Sequence, residues 1–144
     1  MCEELGLRGA KTATYTVSPD FAIALECTTA ADINKNSGNK VTEVGKGVAI
    51  SFMDGATLYE RALYNFTLEL AKDQNINLQI KTATTGGNNA GAIHLTKGGV
   101  RTITLSLPGR YIHSSAPVGS KSDLLAQSRL AASLLNELAK GSFN

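Results

Sequence analysis

The sequence predicts an α/β protein, a sandwich of helices packed around a mostly parallel sheet. Three observations carry that reading. Short apolar runs bounded by turn residues alternate along the chain with segments of helical, 3.6-residue periodicity. At 144 residues, 42% of them apolar, the chain has the length and the oil for one packed core. With 14 basic against 12 acidic residues the formal charge is only +2, so the chain is not of the strongly charged, apolar-poor kind that stays unfolded.

The elements follow in order. Phe21 to Leu25 reads Phe-Ala-Ile-Ala-Leu behind a Ser18-Pro19-Asp20 turn, which predicts a strand buried on both faces. Asn34 to Lys46 is rich in Asn, Gly, Ser and Lys and reads as an exposed loop. Val48 to Phe52 is strand-like. Asp54 or Thr57 is placed to open a helix whose inner face carries Leu63, Phe66 and Leu70. Ile76 to Ile80 alternates apolar and polar residues, as a strand does. Gly86-Gly87-Asn88-Asn89 then predicts a tight turn into a helix-like stretch, Ala90 to Leu95. Val100 to Leu107 reads as a buried strand stopped by Pro108-Gly109. The last helix starts at Ser122 as N-cap, with Asp123 in its first turn. It carries Leu124, Ala131, Leu134, Leu135 and Leu138 on its apolar stripe and stops at Gly141.

Several classes of function drop out. No apolar run approaches the ~18 residues of a membrane span, and a charge of +2 without a basic stripe gives no footprint for nucleic acid. The first residues carry Glu3 and Glu4 where a signal peptide has its apolar stretch, so a cytoplasmic setting is expected. Cys2 and Cys27 fit no metal-knuckle spacing and read as reduced thiols, with a disulfide left open. Asn65-Phe66-Thr67 is a formal glycosylation sequon inside a helical pattern and reads as accidental. Gly45-Lys46-Gly47 reads as a tight exposed turn and lacks the spacing of a phosphate-binding loop.

Chemistry concentrates at the front of the chain. Neighbouring side chains on an extended backbone point to opposite sides, so the adjacent acids Glu3 and Glu4 can divide two tasks, one on a metal and one on its water. Adjacent acids usually lie on a solvated surface. Here Glu26 ends the first apolar run and His113 follows the last strand, which lets Glu4, Glu26 and His113 meet at the carboxyl edge of the sheet. Such oxygen and imidazole donors suit zinc, cobalt or manganese. His94, between Ile93 and Leu95, reads as structural. Arg110 and Tyr111 are weak candidates for substrate contact, balanced against packing at the strand exit.

Glu3-Glu4-Leu5-Gly6-Leu7-Arg8-Gly9-Ala10 resembles the opening motif of the tetrahedral (TET) aminopeptidases, dimetal peptidases related to glutamyl aminopeptidase and long mislabelled as endoglucanases. The resemblance continues through Pro19 to Glu26, Gly45 to Gly47, Ala90 to Thr96 and Arg110 to Ser114, in the family's order. It implies a zinc-peptidase-like α/β/α sandwich of three layers and hydrolysis of amino-terminal residues from peptides. Glu3 is then the general base, Glu4 and His113 ligate one metal, and Glu26 ligates the other, where the family usually has Asp. The metals are two zinc or cobalt ions per complete site.

The family's turn Gly-Thr-Asp-Ala stands here as Gly87-Asn88-Asn89-Ala90. The resemblance also implies a His-x-Asp motif, an aspartate bridging both metals and an inserted dimerisation domain, all upstream of the Glu-Glu pair. Only Met1 and Cys2 precede that pair in this sequence. Residues 1–144 are therefore expected to be one partial catalytic domain, inactive alone, that works as a homo-oligomer or with a separate N-terminal half. A glycoside hydrolase ranks last, because its two carboxyls must flank one bond.

Overall fold

The computed structural model describes residues 2–33 and 41–143. Residues 34–40 of the expected loop lie outside the described residues. In chain order the elements are α1 (Arg8–Val17), β1 (Phe21–Thr29), β2 (Val48–Ile50), α2 (Arg61–Asp73), β3 (Leu78–Ile80), α3 (Ala90–Ile93), β4 (Arg101–Arg110), β5 (Val118–Gly119) and α4 (Lys121–Ala139). The fold is α/β, as expected.

The sheet is mixed. Its strand order is β1-β4-β2-β3, with β5 pairing to the end of β4. Parallel pairing dominates: β1 runs alongside β4 from Phe21↔Arg101 to Thr29↔Gly109, and β2 alongside β3. The antiparallel contacts are short, Ala49↔Ser106 and the two pairs of β5. β4 is the spine. Thr102, Ile103, Thr104, Leu105 and Ser106 are all buried, so both of its faces are covered. Ile103 and Leu105 join the apolar core with Val48, Ile50, Leu63, Leu130 and Leu134. Thr104, on the other face, meets Tyr59 and Asn88.

Several expectations need correction. Helix α1 is absent from the sequence reading, because Thr12, Thr14 and Thr16 are poor helix formers. Thr12 and Thr16 stay helical by turning their hydroxyls back onto the carbonyls of Arg8 and Thr12, at 3.0 Å each. β1 is not buried on both faces: Leu25 is 57% exposed, and among the described residues β1 pairs on one side only. β4 runs through Pro108–Gly109 instead of stopping there. Helix α2 opens at Glu60, not at Asp54 or Thr57, which belong to the loop before it. Gly86 to Asn88 follows an irregular path against Gly55, whose N–H donates to the Gly86 carbonyl at 2.7 Å.

The stripe of α4 is also displaced. Ala126, Gln127, Leu130, Ala131 and Leu134 face inward, while Leu124 and Leu135 are exposed. Ser120 occupies the N-cap position in place of Ser122. Asp123 does more than complement the helix dipole. It is fully buried, and its carboxylate accepts the N–H of Gly45 at 2.7 Å and of Gly47 at 2.9 Å. This contact fastens the loop ahead of β2 to the start of α4. Asp123→Ala strands two N–H groups and is expected to cost about 3 kcal/mol. Urea denaturation measures that loss, and the amides of Gly45 and Gly47 should lose protection from exchange.

A second clamp closes the far end of β1. Arg110 donates from Nε and Nη2 to the two oxygens of Asp32, at 2.7 and 2.9 Å, and the Val44 N–H adds a bond at 2.9 Å. The hydrogen bonds from Arg110 hold the Asp32 carboxyl at about 2, down from 3.8. A carboxyl lowered on folding stabilises above its unfolded value and loses that contribution as pH falls through its folded one. Stability is therefore expected to decline between pH 4 and about pH 2 through Asp32. Arg110→Ala should flatten that stretch of a stability-against-pH curve obtained from urea melts.

Candidate active site

The N-terminal acids sit on a turn. The N–H of Gly6 and of Leu7 both donate to the Glu3 carbonyl, at 3.2 and 3.1 Å, and Gly6 and Leu7 take positive φ of 88° and 59°. The glycine tolerates this at little cost. The extended backbone expected at Glu3–Glu4 is thus replaced by a turn, and both side chains line one cleft.

That cleft, about 690 Å³, lies over the carboxyl-terminal halves of β1 and β4. Glu3, Glu4, Glu26 and His113 all line it, with Lys81, Asn88 and Gln127 on the remaining walls. His113 Nδ1 is 3.0 Å from Glu4 Oε1, although the two residues stand near opposite ends of the chain. His113 reaches there from a bend after β4 in which it and Tyr111 take φ of 64° and 58°. Both partners are exposed, so the pair contributes little to stability. Its importance is geometric, because it brings an imidazole and a carboxylate together in the cleft.

Glu3 is half-buried beside them. Burial first, then the Glu4 and Glu26 carboxylates, hold its carboxyl above the ordinary range, and His113 pulls in the opposite direction. A carboxyl raised in this way is suited to take up and return a proton. Cys27 is a free thiol on the cleft wall, kept protonated by burial and by Glu26; Cys2 is also free.

Glu26 lies inside β1 and not at its end. Its Oε1 accepts from the side-chain Nδ2 of Asn89 at 2.8 Å and from the Asn89 N–H at 3.2 Å. Behind Asn89 is a buried polar cluster. Asp54 accepts the Tyr59 hydroxyl at 2.7 Å, Asn88 Nδ2 at 3.1 Å and the N–H groups of Ala56 and Thr57 at 2.9 Å each. Thr104 donates to Asn88 Oδ1 at 3.2 Å, and that same oxygen accepts the Ala90 N–H at 2.8 Å. Burial pushes the Tyr59 phenol up to about 12, so it remains a donor at neutral pH.

Among the described residues no group of three or more His, Cys, Asp or Glu side chains is gathered to hold a metal ion. Glu4 and His113 make a pair, and one oxygen of Glu26 is already taken. Two donors in contact fall short of the three or four protein ligands of a zinc site. The residues present do not complete the expected dimetal centre by themselves.

A family model described as M42 glutamyl aminopeptidase matches residues 1–130. The chain belongs to this family. A glutamyl aminopeptidase of Lactococcus lactis is 33% identical over 136 residues, which are 94% of this chain and 37% of that protein. An aminopeptidase structure from the archaeon Desulfurococcus kamchatkensis superposes with a TM-score of 0.86 at 36% identity, over 90% of this chain and 38% of that one. A Pyrococcus horikoshii TET peptidase, described as assembling into a tetrahedron or a large octahedral shell, superposes with a TM-score of 0.73 at 30% identity, over 91% of this chain and 37% of that one. The chain thus spans less than two-fifths of each of these relatives.

For this M42 chain, the fold unites four of the six site residues singled out in the sequence: Glu3, Glu4, Glu26 and His113. It does not bring Arg110 or Tyr111 to the cleft. Arg110 is engaged by Asp32, and Tyr111 is 60% exposed on the bend. His94 is structural, with its Nδ1 2.7 Å from the Ala90 carbonyl. Sequence reasoning missed Tyr59 as part of the site; it favoured a helix cap over site support for Asp54, and it matched Asn88 and Asn89 to a family turn without assigning them to Glu26. The only local signal was the Asn-Asn pair ahead of α3. Among the described residues no helix is long and apolar enough to cross a membrane.

Proposed function

We propose that residues 1–144 form one part of the catalytic domain of a metal-dependent aminopeptidase that releases amino-terminal residues from peptides. One observation carries this reading: Glu4 and His113, remote in sequence, meet at 3.0 Å in a cleft that also holds Glu3 and Glu26. Glu3 is the proton-handling group, supported by its half-burial and its neighbouring acids. Glu4 and His113 are donors to one divalent cation and Glu26 to a second, zinc or cobalt. The remaining donors belong to the part of the relatives' length that this chain does not span. Substrates are peptides, the setting is cytoplasmic, and assembly with copies of itself follows the TET relative.

The isolated chain is accordingly inactive, and a partner half completes it. That no three ligating side chains are gathered among the described residues supports this. Amino-acid anilides offered with zinc or cobalt should release no product from the chain alone. Release should begin when a segment equivalent to the relatives' amino-terminal remainder is supplied, and His113→Ala should abolish it. Product from the reconstituted protein that is indifferent to chelator would contradict the proposal.

A further inference from the structure

Glu26 projects from β1, and β1 pairs on one side only among the described residues. A glutamate has three side-chain torsions, and nothing in β1 itself selects one carboxylate orientation. The selection comes from the segment ahead of α3. Asn89 gives two donors to one oxygen of Glu26, its Nδ2 and its main-chain N–H. The opposite orientation of the Asn89 amide sets a carbonyl oxygen against a carboxylate, acceptor on acceptor, so the donor orientation is the one that fits. Asn89 Oδ1 is buried and has no partner among the described residues. The amide is therefore committed to Glu26 alone.

Asn89 is itself held. Its neighbour Asn88 is gripped from three directions, by Asp54 below, by Thr104 of β4 and by the Ala90 N–H. Asp54 is 5% exposed and also receives Tyr59 and the N–H groups of Ala56 and Thr57. Hydrogen bonds from the buried Asp54 carboxylate and from Thr104 thus fix Asn88, and the peptide bond that joins it to Asn89 carries that fixation to the donors on the Glu26 oxygen. Carboxylates that bind cations are characteristically steered by partners of this sort.

We propose that Asn89 is a positioning residue for Glu26: it occupies Oε1 and leaves Oε2 as the single oxygen that Glu26 offers to the cleft. Asp54 and Asn88 fix Asn89 in the place where it can do so. The inference rests on the reading of Glu26 as a cation donor, and the two are tested separately.

The first measurement needs no metal. Three-bond NMR couplings at the Glu26 Cβ and Cγ should report one rotamer in the full chain. Asn89→Ala keeps the main-chain donor and removes Nδ2, and the couplings should then average while the far-UV spectrum stays unchanged. A Glu26 already averaged in the unaltered chain, or still single in Asn89→Ala, overturns the inference. If Asn89→Ala does not fold, the unaltered chain decides. A scalar coupling across the hydrogen bond from Asn89 Nδ2 to the Glu26 carboxyl carbon upholds the inference, and its absence overturns it.

The second measurement adds Zn²⁺ alone and follows the Glu26 carboxyl resonance. A locked Glu26 that moves with Zn²⁺ upholds both statements. A locked Glu26 that does not move with Zn²⁺ even after the relatives' amino-terminal remainder is supplied upholds the role of Asn89 and overturns the donor role of Glu26.

Discussion

Gly47→Ala is expected to destabilise the fold by more than about 4 kcal/mol, in the class of losses reserved for severe steric conflict. Gly47 takes φ of 97°, and a Cβ placed there meets the Asn77 carbonyl oxygen at 2.0 Å and its carbon at 2.3 Å. The obstacle is backbone, so no rotamer change relieves it. That same carbonyl accepts the Val48 N–H at 3.0 Å, where β2 and β3 begin their pairing. Gly47 also donates to Asp123, so moving it loosens the clamp onto α4. Gly45 supplies the control. Its φ is 90°, but nothing lies within 4 Å of a Cβ there. Gly45→Ala should cost only the left-handed backbone, about 1–2 kcal/mol. Urea melts of the two variants side by side separate steric clash from backbone preference, and equal losses would refute the reading of Gly47.

The second large effect is chemical. In the protein completed by the remainder of its catalytic domain, Glu3→Gln is expected to lower kcat by about 10²–10⁴-fold, the usual contribution of a positioned general base. The amide keeps the shape and hydrogen-bonding size of the acid but cannot accept the proton. Substrate affinity should change little. The acid limb of the rate profile should belong to the Glu3 carboxyl. That limb should vanish in Glu3→Gln. A variant that retains full turnover would transfer the proton-handling role to another group.

What could be read from the sequence was local or motif-borne. The alternation of β1, α2, β4 and α4 shows in apolar spacing, since each buries residues with its own period. The gathering of Glu3, Glu4, Glu26 and His113 was legible because the resemblance carried five separate blocks in order. Contacts between residues far apart in sequence were not legible. Nothing near Asp123 reveals that it receives Gly45 and Gly47, and nothing near Arg110 reveals Asp32 as its partner. Asp54 shows how a local rule misleads. An acid ahead of a helical stripe reads as a cap, yet its carboxylate is spent on its own loop and on Tyr59 and Asn88. Helix α1 was hidden by its threonines, whose propensity opposes a helix that tertiary packing on α3 sustains.

The shared cleft is tested most directly by cobalt. With Co²⁺ added to the isotopically labelled chain at millimolar concentration, the side-chain resonances of Glu4, Glu26 and His113 should shift or broaden, while those of His94 stay unmoved. A response confined to His94, or no response at any of the three donors, would contradict the assignment of the cleft as part of a metal centre.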